Sequence, residues 1–306
     1  MPSLFVGSIL IRNRADREES GEMNDSTPSL WTHDAAHIRR LQHAHADHIE
    51  SLYTGLSQVA GNPDHIRMQL FGDTRTLLAS GERFTNRIIL SGNETPADLD
   101  MLFAYYDQYH AGCVIEVNPA NFYPSNPFSW DSALVPVLLA RGCELCHFRC
   151  VWYRDCDTEQ PRFADAQTVQ IFDHTQIDKY IALAQQVEPE QDWHEHAANL
   201  RRAEAQKGWY YYIAIEQGTP IATASLYKTG DLGYLAQAYT HPAHRRRGAH
   251  ALLIQARVQH VHNLGGSGVF SVTDSHTQSA RDLQRMGFLL AYNYLLFVRS
   301  SMPNNQ

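Results

Sequence analysis

The feature that most constrains the fold is a repeated ending. Twice a helical stretch closes on a glycine and passes straight into a long apolar strand: LLARGCELCHFRCVW around Gly142 and LQRMGFLLAYNYLLF around Gly287. Glycine past the last helical turn is a common stop, because it takes the left-handed conformation without a Cβ penalty. The two glycines lie 145 residues apart. The same offset carries the strand-like segment at Ile89 onto the one at Tyr234, but from Val114 it falls nine residues short of the strand at Gly268. The chain has 306 residues, enough for two domains of about 150. Two related halves, with a gap in the alignment between them, is the reading that follows.

Between these landmarks the hydrophobic period switches back and forth between helix and strand. In the first half it predicts a helix over 34–58, strands at Met68 to Leu78 and Arg87 to Leu90, and a helix opened by Thr95-Pro96. A buried-type strand at Cys113 to Val117, a helix at Asp131 to Ala140 and a strand at His147 to Tyr153 follow. The second half predicts a strand at Val169 to Phe172, helices at Thr175 to Val187 and His194 to Gln206, and strands at Trp209 to Glu216, Ile221 to Lys228 and Tyr234 to Tyr239. A helix from Arg246 or Arg247 to His262, a strand at Gly268 to Thr273, a helix at Thr277 to Met286 and a final strand pair from Leu289 complete it. The fold class expected is α/β with a mixed sheet. The expected division is a leader at 1–24, a domain at 25–154, a polar linker at 155–167, a second domain at 168–300 and a tail at 301–306.

Composition removes several functions. A net charge of −8 argues against a general nucleic-acid binder, which needs excess Lys and Arg to displace counterions. The longest early apolar run, Ser3 to Ile11, is too short to cross a bilayer and lacks the flanks of a secretion signal. Five cysteines is an odd number, which fits a reducing cytoplasm better than a disulfide framework. No metal site is expected. Cys143, Cys146, Cys150, Cys156 and His147 cluster, but buried strand thiols explain them better than zinc. Of His43, His45 and His48 only the last two have facing helical spacing, and neither His194-His196 nor His260-His262 chelates by itself.

The chemistry concentrates in YLAQAYTHPAHRRRGAHALLIQARVQHV, residues 234–261. A strand passes through His241-Pro242 into a basic, glycine-containing turn that becomes the first turn of a helix. Backbone N–H groups there have no intrahelical partner, and the helix dipole adds partial positive charge. With Gly248 allowing close approach and Arg245, Arg246 and Arg247 supplying full charges, this is a cradle for a pyrophosphate.

The junction and the order of elements from 169 to 299 resemble the GNAT superfamily of acyl-CoA N-acyltransferases. Its pattern Q/R-x-x-G-x-G/A is matched by Arg245 and Gly248, with His250 in the last place. The stretch SARDLQRMGFLLAYNY (279–294) resembles the closing motif, with Ser279, Arg281 and Gly287-Phe288 in place. The first half resembles a degenerate copy, so the layout implied is two GNAT-like domains in tandem. The resemblance implies acetyl-CoA or another acyl-CoA as co-substrate and an amine on a small molecule or peptide as acceptor. The amides of Arg246, Arg247, Gly248, Ala249 and His250 would hold the pyrophosphate. The backbone of Ala238, Tyr239 and Thr240 would pair with the pantetheine arm, one amide polarising the thioester carbonyl.

Two departures concern catalysis. Leu283 stands where the family carries its acid tyrosine, which leaves Tyr292 as a replacement or as a residue packed between strand and helix. Gln237 stands where a Glu or Asp base is usual; it can order a water but cannot take a proton. Asp274 and His276 are alternative bases, and His276 stands near a position that contacts the arm in relatives. The first half has no cradle: LSGNETPADLD offers Glu94, Asp98 and Asp100, so no coenzyme A is expected there in the usual place. A coenzyme A-binding sensor without catalysis is the competing function, and a homodimer is compatible with the sequence.

Overall fold

A computed structural model describes residues 35–80, 86–118, 134–157, 167–189 and 201–301. The expected leader, most of the linker and the tail beyond 301 lie outside these residues, as does the part of the helix expected over His194 to Gln206 that precedes 201; residues 201–204 are helical, and 205–206 are not.

The first half runs α1 (Ala35–Ser57), β1 (Arg67–Phe71), β2 (Thr74–Leu78), β3 (Arg87–Ile89), α2 (Pro96–Asp107), β4 (Cys113–Val117), α3 (Leu134–Ala140) and β5 (Glu144–Asp155). The single strand expected over Met68 to Leu78 is a hairpin instead: Gly72, at φ +59°, and Asp73 turn the chain between β1 and β2. α2 starts where Thr95-Pro96 predicts, with Thr95 and Asp98 closing a capping box.

The second half runs β6 (Gln167–Asp173), a 3₁₀ turn, α4 (Ile177–Val187), β7 (Trp209–Glu216), β8 (Thr219–Thr229), β9 (Leu232–Thr240), α5 (Ala249–Asn263), β10 (Gly268–Thr273), α6 (Gln278–Arg285) and β11 (Leu289–Arg299). Two expectations shift. α5 begins at Ala249 rather than Arg246 or Arg247, because Arg246 (φ +64°) and Gly248 (φ +88°) hold the turn out of helical conformation. The final strand pair is one long strand, β11.

The eleven strands among the described residues join one sheet in the order β1-β2-β3-β4-β11-β5-β10-β9-β8-β7-β6. The last strand of each half sits beside the other half: β11 pairs with β4, and β5 pairs with β10. The central β5–β11 ladder is centred on the same offset. Arg149 pairs with Tyr294, 145 residues further on, and the same offset turns Leu289↔Tyr153 into Glu144↔Val298 and Tyr292↔Val151 into His147↔Leu296. The pairing therefore has two-fold symmetry about Arg149 and Tyr294, including one register shift on each side. The parallel pair Ile89↔Glu116 corresponds to Tyr234↔Phe270, with offsets of 145 and 154, so the missing nine residues fall between the two members of that pair.

Helices cover both faces. On one, α1 sets Leu41 and Ala44 against Val151, Tyr153, Phe270 and Tyr294, while Tyr180, Ile181 and Ala184 of α4 pack on Trp209, Tyr211 and Ile213. On the other, α2 and α3 bury Leu99, Leu102 and Leu138 against Ile88, Ile115 and Phe297, and α5 buries Leu253, Ile254, Val258 and Val261 against Leu226, Leu235 and Val269. Because β5 and β11 each complete the other half's sheet, removing either strand exposes both cores.

Candidate functional site

The site is made where two parallel strands part. β9 and β10 pair only over Leu232–Tyr234 and Gly268–Phe270; β10 then continues along β5 while β9 turns away. Among the described residues no strand pairs with that edge of β9 beyond Tyr234; of the carbonyls there, Leu235 accepts from the Ser271 hydroxyl at 3.0 Å, Ala236 from Arg257 at 3.1 Å and Thr240 from Arg245 at 3.2 Å. A bulge helps to turn β9. Ser225 faces Ala236 and Ala224 faces Ala238, leaving Gln237 as the extra residue, at φ +33°.

Between β9, β10, α5 and α6 lies a cavity of about 1080 Å³. Its walls include Gln237, Ala238, Tyr239, Thr240, Arg245, Arg246, Gly248, Ala249, His250 and Ser279, which the structure brings together from three elements and a turn. At one end is the turn before α5. His241 Nδ1 accepts from the Ala243 amide at 3.3 Å and stabilises a 3₁₀ turn over Pro242–His244. Arg245 Nε donates to the Thr240 carbonyl at 3.2 Å, with its guanidinium 5.9 Å above the Tyr239 ring. The positive φ values of Arg246 and Gly248 bend the turn into a concavity of successive N–H groups ahead of the helix, which suits an anion. A Cβ built on Gly248 meets nothing within 4 Å, so the residue leaves open space where a ligand's phosphates would lie.

Other predicted residues lie elsewhere. Arg247 points away from the cavity and forms an ion pair with Glu216 at 3.1 Å, while its carbonyl accepts from Gln167. Asp274 is held by His147 and Arg149, each at 2.9 Å; the His147 contact foremost, and then Arg149, depress its pKa, so it stands as a carboxylate. His276 is exposed beside Ser275, and its carbonyl accepts from Arg281. Neither Asp274 nor His276 lines the cavity. Tyr292 lies in a second cavity of about 30 Å³ with Gln42, His45, Glu116, Asn118 and Tyr294, and burial raises its pKa. That small cavity sits at Ile89-Leu90, the first-half counterpart of Tyr234-Leu235.

Sequence reasoning missed three groups. Glu204 lies behind the bulge, accepting from Gln237 Nε2 at 3.3 Å and from Arg201 at 2.7 Å. Asp282 of α6 ties the two helices by contacting His250 Nδ1 at 2.8 Å; that contact, above all, lowers its pKa. Arg257 of α5 lines the cavity and is 2% exposed. The available signal for it was an arginine at helical spacing between Leu253 and Val261, inside an otherwise apolar stripe.

The counterpart turn in the first half is already filled from within. Glu94 accepts from the amides of Ser91 (2.6 Å) and Gly92 (2.9 Å), Asp98 caps α2, and Asp100 pairs with Arg141 at 2.6 Å.

An opened sheet edge that leads into an anion-ready helix start suits a long ligand with amides at one end and phosphates at the other. Residues 170–288 match the Acetyltransferase (GNAT) family. The chain is similar in structure to a tandem GNAT protein from the clavulanic acid biosynthesis pathway, solved without AcCoA (16% identity, 76% of this chain and 79% of that one, TM-score 0.56). It is also similar to GCN5-related N-acetyltransferases from Kribbella flavida (17%, 81% and 95%, 0.54) and Sphaerobacter thermophilus (13%, 85% and 94%, 0.55). At these identities the likeness is one of fold. No curated protein matches the sequence.

Proposed function

We propose that the protein is an N-acyltransferase that moves an acyl group, acetyl in the simplest case, from acyl-CoA to an amine by direct attack in a ternary complex. The observation that carries this reading is the continuity of one cavity from the Arg246–Gly248 turn to the Gln237 bulge. The amides of Arg246 to His250, with the Arg245 and Arg246 side chains, hold the pyrophosphate. The open edge of β9 at Ala238 to Thr240 pairs with the amides of the pantetheine arm, as an added strand does. At the bulge a backbone N–H meets the thioester oxygen and stabilises the charge that develops there. Gln237, oriented by Glu204, positions the water that receives the amine's proton. Tyr292, in its separate cavity, acts in packing, while Ser279 lines the cleft and His276 lies outside it. The first half holds no coenzyme A in the usual place and supports the acceptor side. The acceptor is an amine on a small molecule or a peptide.

A second reading, a coenzyme A sensor, is favoured by one observation: Leu283 lines the cleft where an acid would stand. Release of free thiol from acetyl-CoA, measured against a panel of small amines, amino acids and peptides, separates the two. Release that depends on one amine class supports the transferase; tight binding of coenzyme A without release on any amine supports the sensor.

A further inference from the structure

Arg257 is a buried cation without an anion. It is 2% exposed, and among the described residues no carboxylate forms an ion pair with it. Its bonds run only to carbonyls: Nε to Leu253 at 3.0 Å, and Nη1 to Ser225 and Ala236, both at 3.1 Å. Burial lowers its pKa to about 10, still well above neutrality, so the side chain carries its charge. A guanidinium taken out of water is costly unless it is paired. Two of its carbonyl partners flank the β9 bulge, so it holds the bulge in shape. A neutral donor could do that, however, and the charge itself has no use within the folded chain.

Its position gives the charge a use. Arg257 is nine residues along α5 from Gly248, roughly 13 Å at the helical rise. That span is comparable with an extended pantetheine arm. With the pyrophosphate at the α5 start, an arm of that length would reach the part of the cavity that Arg257 lines.

We propose that Arg257 stabilises the departing coenzyme A thiolate, the role left open by Leu283. The proposal rests on the acyl-CoA reading above. The amine nitrogen attacks the thioester carbon and the C=O pair moves to oxygen. When the carbonyl re-forms, the C–S bond breaks and its electron pair stays on sulfur as a thiolate facing the guanidinium. The ammonium proton passes to water, and the thiolate takes a proton from water on release. No protein group has to donate a proton to sulfur.

The test reads sulfur rather than turnover. Coenzyme A is bound to the full-length protein and its thiol is titrated by the ultraviolet absorbance of the thiolate. The expected result is a bound thiol pKa at least one unit below that of free coenzyme A in wild type. Arg257→Lys keeps the cation and keeps the depression. Arg257→Gln, which can still donate to the bulge carbonyls, brings the pKa back to the free value and lowers kcat at least tenfold. An undepressed thiol in wild type, a retained depression in Arg257→Gln, or its loss in Arg257→Lys would each overturn the proposal. Should Arg257→Gln fail to fold, wild type and Arg257→Lys still decide. Failure of wild type to bind coenzyme A at all would instead remove the acyl-CoA reading.

Discussion

Replacing Gly248 by alanine isolates the contribution of backbone conformation to the cradle. Gly248 sits at φ +88°, and the added Cβ would meet nothing within 4 Å, so the substitution introduces conformational strain and no clash. A left-handed non-glycine residue costs about 1–2 kcal/mol, partly offset because alanine also restricts the unfolded chain by about 0.4–1 kcal/mol. The strain can be relieved only by relaxing the turn, which withdraws the N–H groups from the pyrophosphate. The expected outcome is a loss of coenzyme A affinity of about 5- to 30-fold, read by titration calorimetry, with a melting temperature lower by only a few degrees. Gly61, at φ +80° with equally open space, is the matched control. Gly61→Ala should lower stability similarly and leave coenzyme A binding unchanged. Equal affinities for Gly248→Ala and wild type, or an equal loss in Gly61→Ala, would refute the claim that the shape of this turn makes the site.

The three consecutive arginines should separate. Arg245→Ala, which removes a cavity wall, should weaken coenzyme A binding about tenfold, whereas Arg247→Ala loses only an exposed pair with Glu216, worth up to about 1 kcal/mol, and should change binding less than threefold. Asp282 has a depressed pKa, so its contribution to stability is present above the unfolded carboxylate value and is lost as pH falls through its lower folded value. Asp282→Asn should therefore flatten the acid limb of a stability profile below about pH 4; an unchanged limb would show that the His250 contact carries no linkage. Of the five free cysteines only Cys146 is exposed, and burial raises the thiol pKa of Cys113 to about 12 and of Cys156 to about 11. A chromogenic disulfide should titrate one thiol per native chain and five after unfolding; fast reaction of two or more would contradict the packing described. Ala in place of Gly268 would set its Cβ 2.4 Å from the Tyr153 hydroxyl, and overpacking of this kind costs about 1–3 kcal/mol, measurable by denaturant unfolding.

Local chemistry was legible in the sequence and long-range pairing was not. The glycine stops at Gly142 and Gly287, the Thr95-Pro96 start and the turn from His241 to Gly248 are encoded within a few residues, and the structure forms each of them. The exchange that puts β11 between β4 and β5 depends on partners far apart in the chain, about which hydrophobic periodicity is silent. Tyr292 shows how a single residue changes the outcome. A register shift between Leu290 and Tyr292 flips the strand's alternation, so that Leu290 packs with the α5 core while Tyr292 faces α1, away from the cleft. Arg257 was obscured for the opposite reason: three exposed arginines at the helix start drew attention to charge, whereas the buried one was embedded in an apolar stripe.

The proposed function requires that the opening between β9 and β10 hold acyl-CoA. Hydrogen exchange of the full-length protein with and without coenzyme A tests it most directly. The account predicts protection at residues 238–250 and along α6, with no change at residues 90–98 of the first half. Protection confined to the first half, or none anywhere at saturating coenzyme A, would contradict it.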